Sequence, residues 1–123
     1  MKKILIVDDE LNVRRLVRFS LEEEEGYELH DAENGTEALI KAKKLKPDLV
    51  ILDLMTPDKW GYTVCEELKE DPLTKDAVVL ILSARGSSAS KVMGEAKGAD
   101  EYMVKPFQPK ELRKMVKKLL GKD

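Results

Sequence analysis

Short apolar runs that alternate with amphipathic stretches predict an α/β fold: a doubly wound, five-stranded parallel sheet in the order 2-1-3-4-5. Three observations carry this expectation. The runs Ile4–Val7, Leu49–Leu52 and Val78–Leu82 have the length and branched apolar composition of strands covered on both faces. The segments between them repeat apolar residues at helical spacing. Turn signals separate the segments, and no linker, repeat or low-complexity stretch interrupts them. Strands and helices in strict alternation imply right-handed crossovers. The expected order sets strands 1 and 3 side by side where the winding reverses, and ligands of such sheets bind beyond the carboxyl ends there.

The first strand begins almost at Met1 and is followed by Asp8-Asp9. Val13, Leu16, Val17, Ser20 and Leu21 then recur at helical spacing, with Gly26 as the expected stop. Glu22–Glu25 reads as the solvated end of that helix, where negative charge opposes the dipole. Tyr27–Asp31 is a short second strand; His30, the single histidine, has no companions for a metal or phosphorelay role. Asn34 with Glu37 matches a capping box and opens a helix that turns Ala38, Leu39, Ala42 and Leu45 inward. Lys46-Pro47 ends it, and Lys41, Lys43, Lys44 and Lys46 suit its C-terminal dipole. The Leu49–Leu52 strand runs into Asp53. A loop to Gly61 leads to a helix with Val64, Cys65 and Leu68 inward, broken at Asp71-Pro72. The Val78–Leu82 strand runs into Ser83. A serine-rich loop follows, then a helix over Lys91–Lys97 that Gly94 weakens by about 1 kcal/mol relative to Ala. Glu101–Val104 is the fifth strand, ending at Lys105. Pro109–Leu120 is the last helix, with Leu112, Met115, Val116, Leu119 and Leu120 facing the sheet.

The totals exclude several classes. The 123 residues suit one domain, 1–123, and a hydrophobic share of 42% excludes a disordered chain. Lys+Arg 22 against Asp+Glu 24 leaves a formal charge of −2, which favours neither nucleic acid nor an anionic membrane. No apolar run approaches the ~20 residues that span a bilayer. Met1-Lys2-Lys3 opens directly into a strand without a signal-peptide layout, and the lone Cys65 excludes an internal disulfide. A cytoplasmic location is expected. The helix ending at Leu120-Gly121-Lys122-Asp123, with no linker in view, leads to the expectation of a stand-alone chain.

With the strand ends side by side, one rim carries the carboxylates of Asp8, Asp9 and Asp53, the Ser83 hydroxyl and the Lys105 ammonium. Carboxylates that close repel one another and need a cation or a proton. A hard divalent ion meets that need, and Mg²⁺ takes one or two carboxylates while keeping several waters. Helix capping would account for Asp9 alone. It does not account for the acidic pair together with Asp53 on another strand end. A carboxylate is also a nucleophile that forms acyl phosphates. A metal and a lysine would neutralise charge on the transferring oxygens. The charge gained would then draw a hydroxyl and an ammonium inward, which supplies a switch.

As a set, these residues resemble the receiver domain of two-component response regulators, the chemotaxis-protein Y-like family, whose fold is flavodoxin-like (βα)5. The resemblance rests on Val7-Asp8-Asp9, Asp53-Leu54-Met55-Thr56-Pro57 with Gly61, Leu82-Ser83-Ala84 and Lys105-Pro106-Phe107. Asn34-Gly35-Thr36-Glu37-Ala38-Leu39 and Gly98-Ala99-Asp100 extend it across the chain. It implies that Asp53 takes a phosphoryl group from a sensor histidine kinase, a phosphotransfer protein or a small phosphodonor. It implies Mg²⁺, or Mn²⁺ in its place, held by Asp8, Asp9, the Asp53 carboxylate and the Met55 backbone carbonyl. Ser83 would bind a phosphoryl oxygen, Lys105 would pair with the phosphate before a cis bond to Pro106, and Tyr102 would turn inward with Ser83. Met55 and Arg85 occupy the positions that tune lifetime, and an apolar Met55 that cannot orient water predicts a long-lived phosphoform.

The resemblance further implies kinase docking through Asn12, Leu16 and Ser20 with Pro106 and Phe107, although Leu16 fits the core equally well. The output face would comprise the fourth helix (Lys91–Lys97), the fifth strand with Tyr102, and the last helix at Lys110–Lys117. Through it the domain would act on a downstream effector, without binding nucleic acid or membrane itself. The chain would catalyse only its own phosphorylation and hydrolysis. Two rivals are weaker. An interaction module independent of phosphorylation would have no need of the full acid, hydroxyl and lysine set. A Mg²⁺-dependent phosphohydrolase would need an acid where Met55 stands. Asp58-Lys59-Trp60 departs from the family pattern and removes the usual cap of the third helix. Trp60, the only tryptophan, is expected on an exposed loop, packed over backbone or anchoring a partner.

Overall fold

The computed structural model describes residues 1–84 and 97–121. Strands β1 (Lys2–Val7), β2 (Tyr27–Ala32), β3 (Leu49–Asp53), β4 (Val78–Ser83) and β5 (Glu101–Val104) form one sheet in the order β2-β1-β3-β4-β5. Every pairing is parallel. The described helices are α1 (Leu11–Leu21), α2 (Gly35–Leu45), α3 (Gly61–Glu70) and α4 (Pro109–Leu119). The helix expected over Lys91–Lys97, with Gly94, lies outside the described residues, as does Arg85; Lys97 itself stands in a turn. Among the described residues no helix is long and apolar enough to cross a membrane.

Strand residues alternate between two cores, as a pleat of period two requires. Leu5, Val7, Val50, Leu52, Val79 and Ile81 pack toward α2 and α3, against Ala38, Ala42, Val64, Cys65 and Leu68. Ile4, Ile6, Leu49, Ile51, Leu80 and Leu82 pack toward α1 and α4, against Val17, Leu21, Leu112 and Val116. Both faces of the three central strands are therefore buried, which is why their sequences read as continuous apolar runs.

Helix ends follow local chemistry. Asn34 accepts from the Glu37 N–H at 2.8 Å at the start of α2. Pro109 opens α4, where the Glu111 carboxylate accepts from the Gln108 N–H at 2.9 Å. One expected boundary moves. Gly26 does not stop α1, which ends at Leu21 with Glu22 as its C-cap; Gly26, at φ +95, turns the chain into β2 instead. Glu23–Glu25 thus lie beyond the helix, because carboxylates at its negative end oppose a further turn.

Candidate functional site

Strand register assembles the rim. Val7 lies opposite Leu52, so Asp8 and Asp53 leave neighbouring strands side by side. The alternation that sends Ile4 and Ile6, or Leu49 and Ile51, toward α1 and α4 continues to these two acids. At the other side of β4, Val104 pairs with Ser83, and the Lys105 N–H donates to the Ser83 carbonyl at 2.7 Å. The Lys105–Pro106 peptide is cis. From there the Lys105 ammonium reaches back to Asp8 Oδ2 at 2.9 Å and Asp53 Oδ1 at 3.3 Å. Asp8 is 2% exposed and Asp53 6%, so one cation serves two buried carboxylates.

Electrostatics follow from that geometry. Burial, then the Asp8 charge, raises the Asp53 carboxyl above the ordinary carboxylate range; Lys105 and the nearby Met55 N–H offset part of this. Burial alone would lower Lys105. The hydrogen bond and charge of Asp8, with those of Asp53, outweigh it and raise the ammonium above its usual value. Asp53 is thus an anion short of positive charge.

The acidic turn after β1 is tied down by its own backbone. Asp8 Oδ1 accepts from the Glu10 N–H at 2.9 Å, and the Asp8 N–H donates to the Ala32 carbonyl at 3.1 Å. Arg14, buried on α1, donates to the Asp8 carbonyl at 2.6 Å and lies 3.4 Å from Asp31. Carboxylate oxygens of Asp8, Asp9 and Glu10 fall within 4.8 Å of one another, with Asp9 and Glu10 exposed. Asp53, expected to converge with Asp8 and Asp9, lies outside this group; Lys105 links it to Asp8. Hard oxygen donors, one of them buried, beside a carboxylate whose anion lacks charge compensation, fit a divalent cation. The sequence reading left out Glu10 and Arg14. The arginine was discoverable, since Arg14, Val17 and Leu21 share one helical stripe.

The loop from Leu54 to Trp60 is tight. The Gly61 N–H donates to the Leu54 carbonyl at 2.7 Å, and Met55 bridges Trp60 in antiparallel fashion. A Cβ at Gly61 would meet the Asp53 carbonyl oxygen at 2.7 Å, so only glycine permits this approach. No side chain caps α3 at Trp60. Asp58 instead caps α2: its Oδ1 accepts from the Gly35 N–H at 2.8 Å, and its Oδ2 from the Thr36 N–H at 3.0 Å and the Thr36 hydroxyl. These bonds, led by the hydroxyl, lower its pKa to about 2. Trp60 is exposed, its ring 6.2 Å from that of Tyr62.

The remaining expected residues are placed as follows. Ser83 is buried at the end of β4, and Tyr102 is half-buried on β5, packed on the core beneath α2 and α3. Asn12 and Pro106 are exposed. Leu16, at 37% exposure, does not complete the core. With Val13, Ala84, Lys105, Pro106 and Phe107 it lines a cleft of about 340 Å³ beside the acidic rim. Phe107 is largely buried in the core on the α1 and α4 side. Ser20 is a correction: at 1% exposure, with its hydroxyl donating to the Leu16 carbonyl at 2.7 Å, it presents nothing to a docking partner. A hydroxyl that returns to the preceding turn satisfies itself inside the helix.

Residues 4–117 match the family model described as the response regulator receiver domain. The chain is 45% identical over 118 residues to the transcriptional regulatory protein ResD of Bacillus subtilis (strain 168), covering 96% of this chain and 48% of that protein. It is 44% identical over 122 residues to the alkaline phosphatase synthesis transcriptional regulatory protein PhoP of the same strain, covering 99% and 50%. The chain therefore spans about half the length of these curated relatives. The chemotaxis response regulator CheY4 of Vibrio cholerae superposes with a TM-score of 0.90 at 34% identity, covering 97% of this chain and 98% of that one.

Proposed function

The chain belongs to the response regulator receiver domain family, and from that premise we propose that Asp53 is its phosphoacceptor, fed by a sensor histidine kinase or a phosphotransfer protein. Residues 1–123 act in this reading as one receiver domain working in the cytoplasm. The observation that carries it is the Lys105 ammonium, 2.9 Å from Asp8 and 3.3 Å from Asp53, on the rim where parallel sheets bind ligands.

An Asp53 carboxylate oxygen attacks the phosphorus. The bond from phosphorus to the donor's leaving atom breaks, and its electron pair departs with the donor. Asp53 is ionised for this step, and Lys105 stabilises that ionised form at its side. Receiver domains generally use Mg²⁺. Here Asp8, Asp9, the Asp53 carboxylate and the Met55 carbonyl would hold Mg²⁺ or Mn²⁺, which supplies neutralisation of the transferring phosphoryl oxygens. The Ser83 hydroxyl donates to one of those oxygens and Lys105 pairs with another. Tyr102, two residues into the neighbouring β5, follows Ser83 inward and carries the change to the edge of the sheet. Beyond this self-phosphorylation and the later hydrolysis, the domain turns over no separate substrate. The kinase docks along Asn12 and Leu16 over the cleft that Pro106 and Phe107 help to form. Relatives named as transcriptional regulatory proteins, twice the length of this chain, support an output in transcription that this domain controls rather than executes.

Incubation with acetyl phosphate and Mg²⁺, followed by intact-mass measurement, tests the reading. Wild type gains one phosphoryl group and Asp53→Asn gains none. A wild type that stays unmodified, or an Asp53→Asn protein that is still modified, overturns it.

A further inference from the structure

We propose that Asp58 is a positioning residue for the phosphorylation site: bonded to the first turn of α2, it holds the loop carrying Met55 and Trp60 in place beside Asp53. The inference rests on the receiver reading above and adds to it a part that this chain's unusual Asp58-Lys59-Trp60 segment plays.

The first N–H groups of a helix have no partner inside it. At α2, Asn34 takes the Glu37 N–H at 2.8 Å, while the Asp58 carboxylate takes those of Gly35 and Thr36 at 2.8 and 3.0 Å, together with the Thr36 hydroxyl. An anion there also faces the positive end of the helix dipole. Gly35 lets the two segments approach, since a Cβ on it would lie 2.8 Å from Val64 Cγ2 and 2.9 Å from Lys59 Cβ. Asp58 is therefore saturated by a helix to which its own loop is not connected in sequence.

The same loop has two further attachments. Toward β3, the Gly61 N–H meets the Leu54 carbonyl, and Thr56 donates its hydroxyl to the Lys59 carbonyl. Toward α3, the Lys59 ammonium pairs with Glu67 at 3.1 Å. Both are made within the β3–α3 unit, and at the base of the loop the Leu54 N–H donates to the Leu82 carbonyl of β4 at 3.1 Å. Asp58 fixes the tip of the loop to α2. What it fixes matters to the site: Met55 follows Asp53 by two residues, and its N–H favours the Asp53 anion. Met55 bridges Trp60, and residues facing each other across an antiparallel bridge project to the same side. A loop that drifts from α2 shifts the Met55 backbone and side chain relative to Asp53.

Trp60, the only tryptophan, makes the test direct. Its emission during a Mg²⁺ titration reports cation affinity, exchange of the Met55 amide in metal-free protein reports loop position, and intact mass after acetyl phosphate reports the chemistry. Asp58→Ala is expected to weaken Mg²⁺ about tenfold, the usual scale for losing a group that orients a ligand, and to speed Met55 exchange. Asp58→Asn, which keeps one accepting oxygen, falls between it and wild type, and Thr36→Val, which removes one donor, shows the smallest change. If Asp58→Ala does not fold, the other two variants carry the test in the same order. Phosphate uptake by wild type together with unchanged Mg²⁺ affinity and Met55 exchange in the variants overturns the inference alone, including the case where they merely melt earlier. A wild type that takes up no phosphate overturns the receiver reading, and this inference falls with it.

Discussion

Asp53 ends β3 on the buried rim; Asp58, five residues further on, lies in solvent against the first turn of α2. The two acids share a loop and differ in what surrounds the charge. Burial and the neighbouring Asp8 raise the Asp53 carboxyl, so its anion is poorly compensated. Donors from Thr36 and Gly35 lower Asp58 to about 2, so its anion is satisfied. A carboxylate short of positive charge is the one that gains from a cation or reacts with a phosphoryl group. A saturated one holds structure. Proximity in sequence says nothing about which is which; the donors each meets after folding decide.

The largest effect expected from this contrast lies in the glycines that allow each end of the loop its approach. Gly61 sits against the backbone: an added Cβ would be 2.7 Å from both the Asp53 carbonyl oxygen and Leu54 Cα. Backbone of a central strand cannot yield, so Gly61→Ala is expected to cost about 3 kcal/mol, near the top of the usual range for overpacking. Gly35 sits against side-chain atoms, Val64 Cγ2 and Lys59 Cβ, rather than against strand backbone. Gly35→Ala is expected to cost about 1 kcal/mol, partly offset by the better helix propensity of alanine. Urea midpoints at constant slope measure both. Equal costs would show that the Asp58 end is as rigid as the Asp53 end and erase the contrast.

The Asp53 end was legible in the sequence because two simple signals coincide there. Continuous apolar runs mark buried central strands, and an acid, hydroxyl or lysine directly after such a run sits at the rim. The placement of Asp8, Asp53, Ser83 and Lys105 at the strand ends follows from that, and the alternation of strands with helices gives the strand order. The Asp58 end was not legible, because its partners Gly35 and Thr36 lie more than twenty residues earlier and belong to a helix it does not precede. Capping rules read the acid before a helix as the cap of that helix, whereas here α3 has no side-chain cap and the acid serves α2. Ser20 failed for a related reason. Helical spacing set it on the edge of a stripe, and spacing cannot show that a hydroxyl closes onto the Leu16 carbonyl. Arg14 shares a helical stripe with Val17 and Leu21, but arginines mostly reach solvent, and spacing does not show that this one lies buried against the Asp8 carbonyl.

The next effect is one of sign. A carboxyl raised on folding binds its proton more tightly in the folded chain than in the unfolded one. Its contribution therefore favours folding below the ordinary carboxylate range and is lost as pH rises through the folded value. In metal-free protein near pH 7, Asp53→Asn should raise the melting temperature, and the gain should shrink toward pH 4. Lys105 does not confound the comparison, since its raised ammonium titrates above this window. Melting curves of wild type and Asp53→Asn across this range, with chelator present, are the check. An Asp53→Asn protein less stable at pH 7 would mean that Lys105 alone compensates both acids.

The smallest effect is local and isolates the Asp58 end. The Thr36 hydroxyl is the leading cause of its depressed value, ahead of the Thr36 and Gly35 N–H groups. In the wild type, carboxyl NMR should therefore show Asp58 titrating at about 2 rather than at the ordinary 3.8. A group lowered on folding contributes stability above its unfolded value and loses it as pH falls through the folded one. The helix contact should consequently weaken between about 4 and about 2, the reverse of the change at Asp53. Thr36→Val removes the hydroxyl and leaves both N–H donors, so the midpoint should move up toward 3.8 without reaching it. If the midpoint stays where it was in Thr36→Val, the backbone of α2 alone holds Asp58, and the loop is fixed by the helix dipole and its free N–H groups rather than by the threonine.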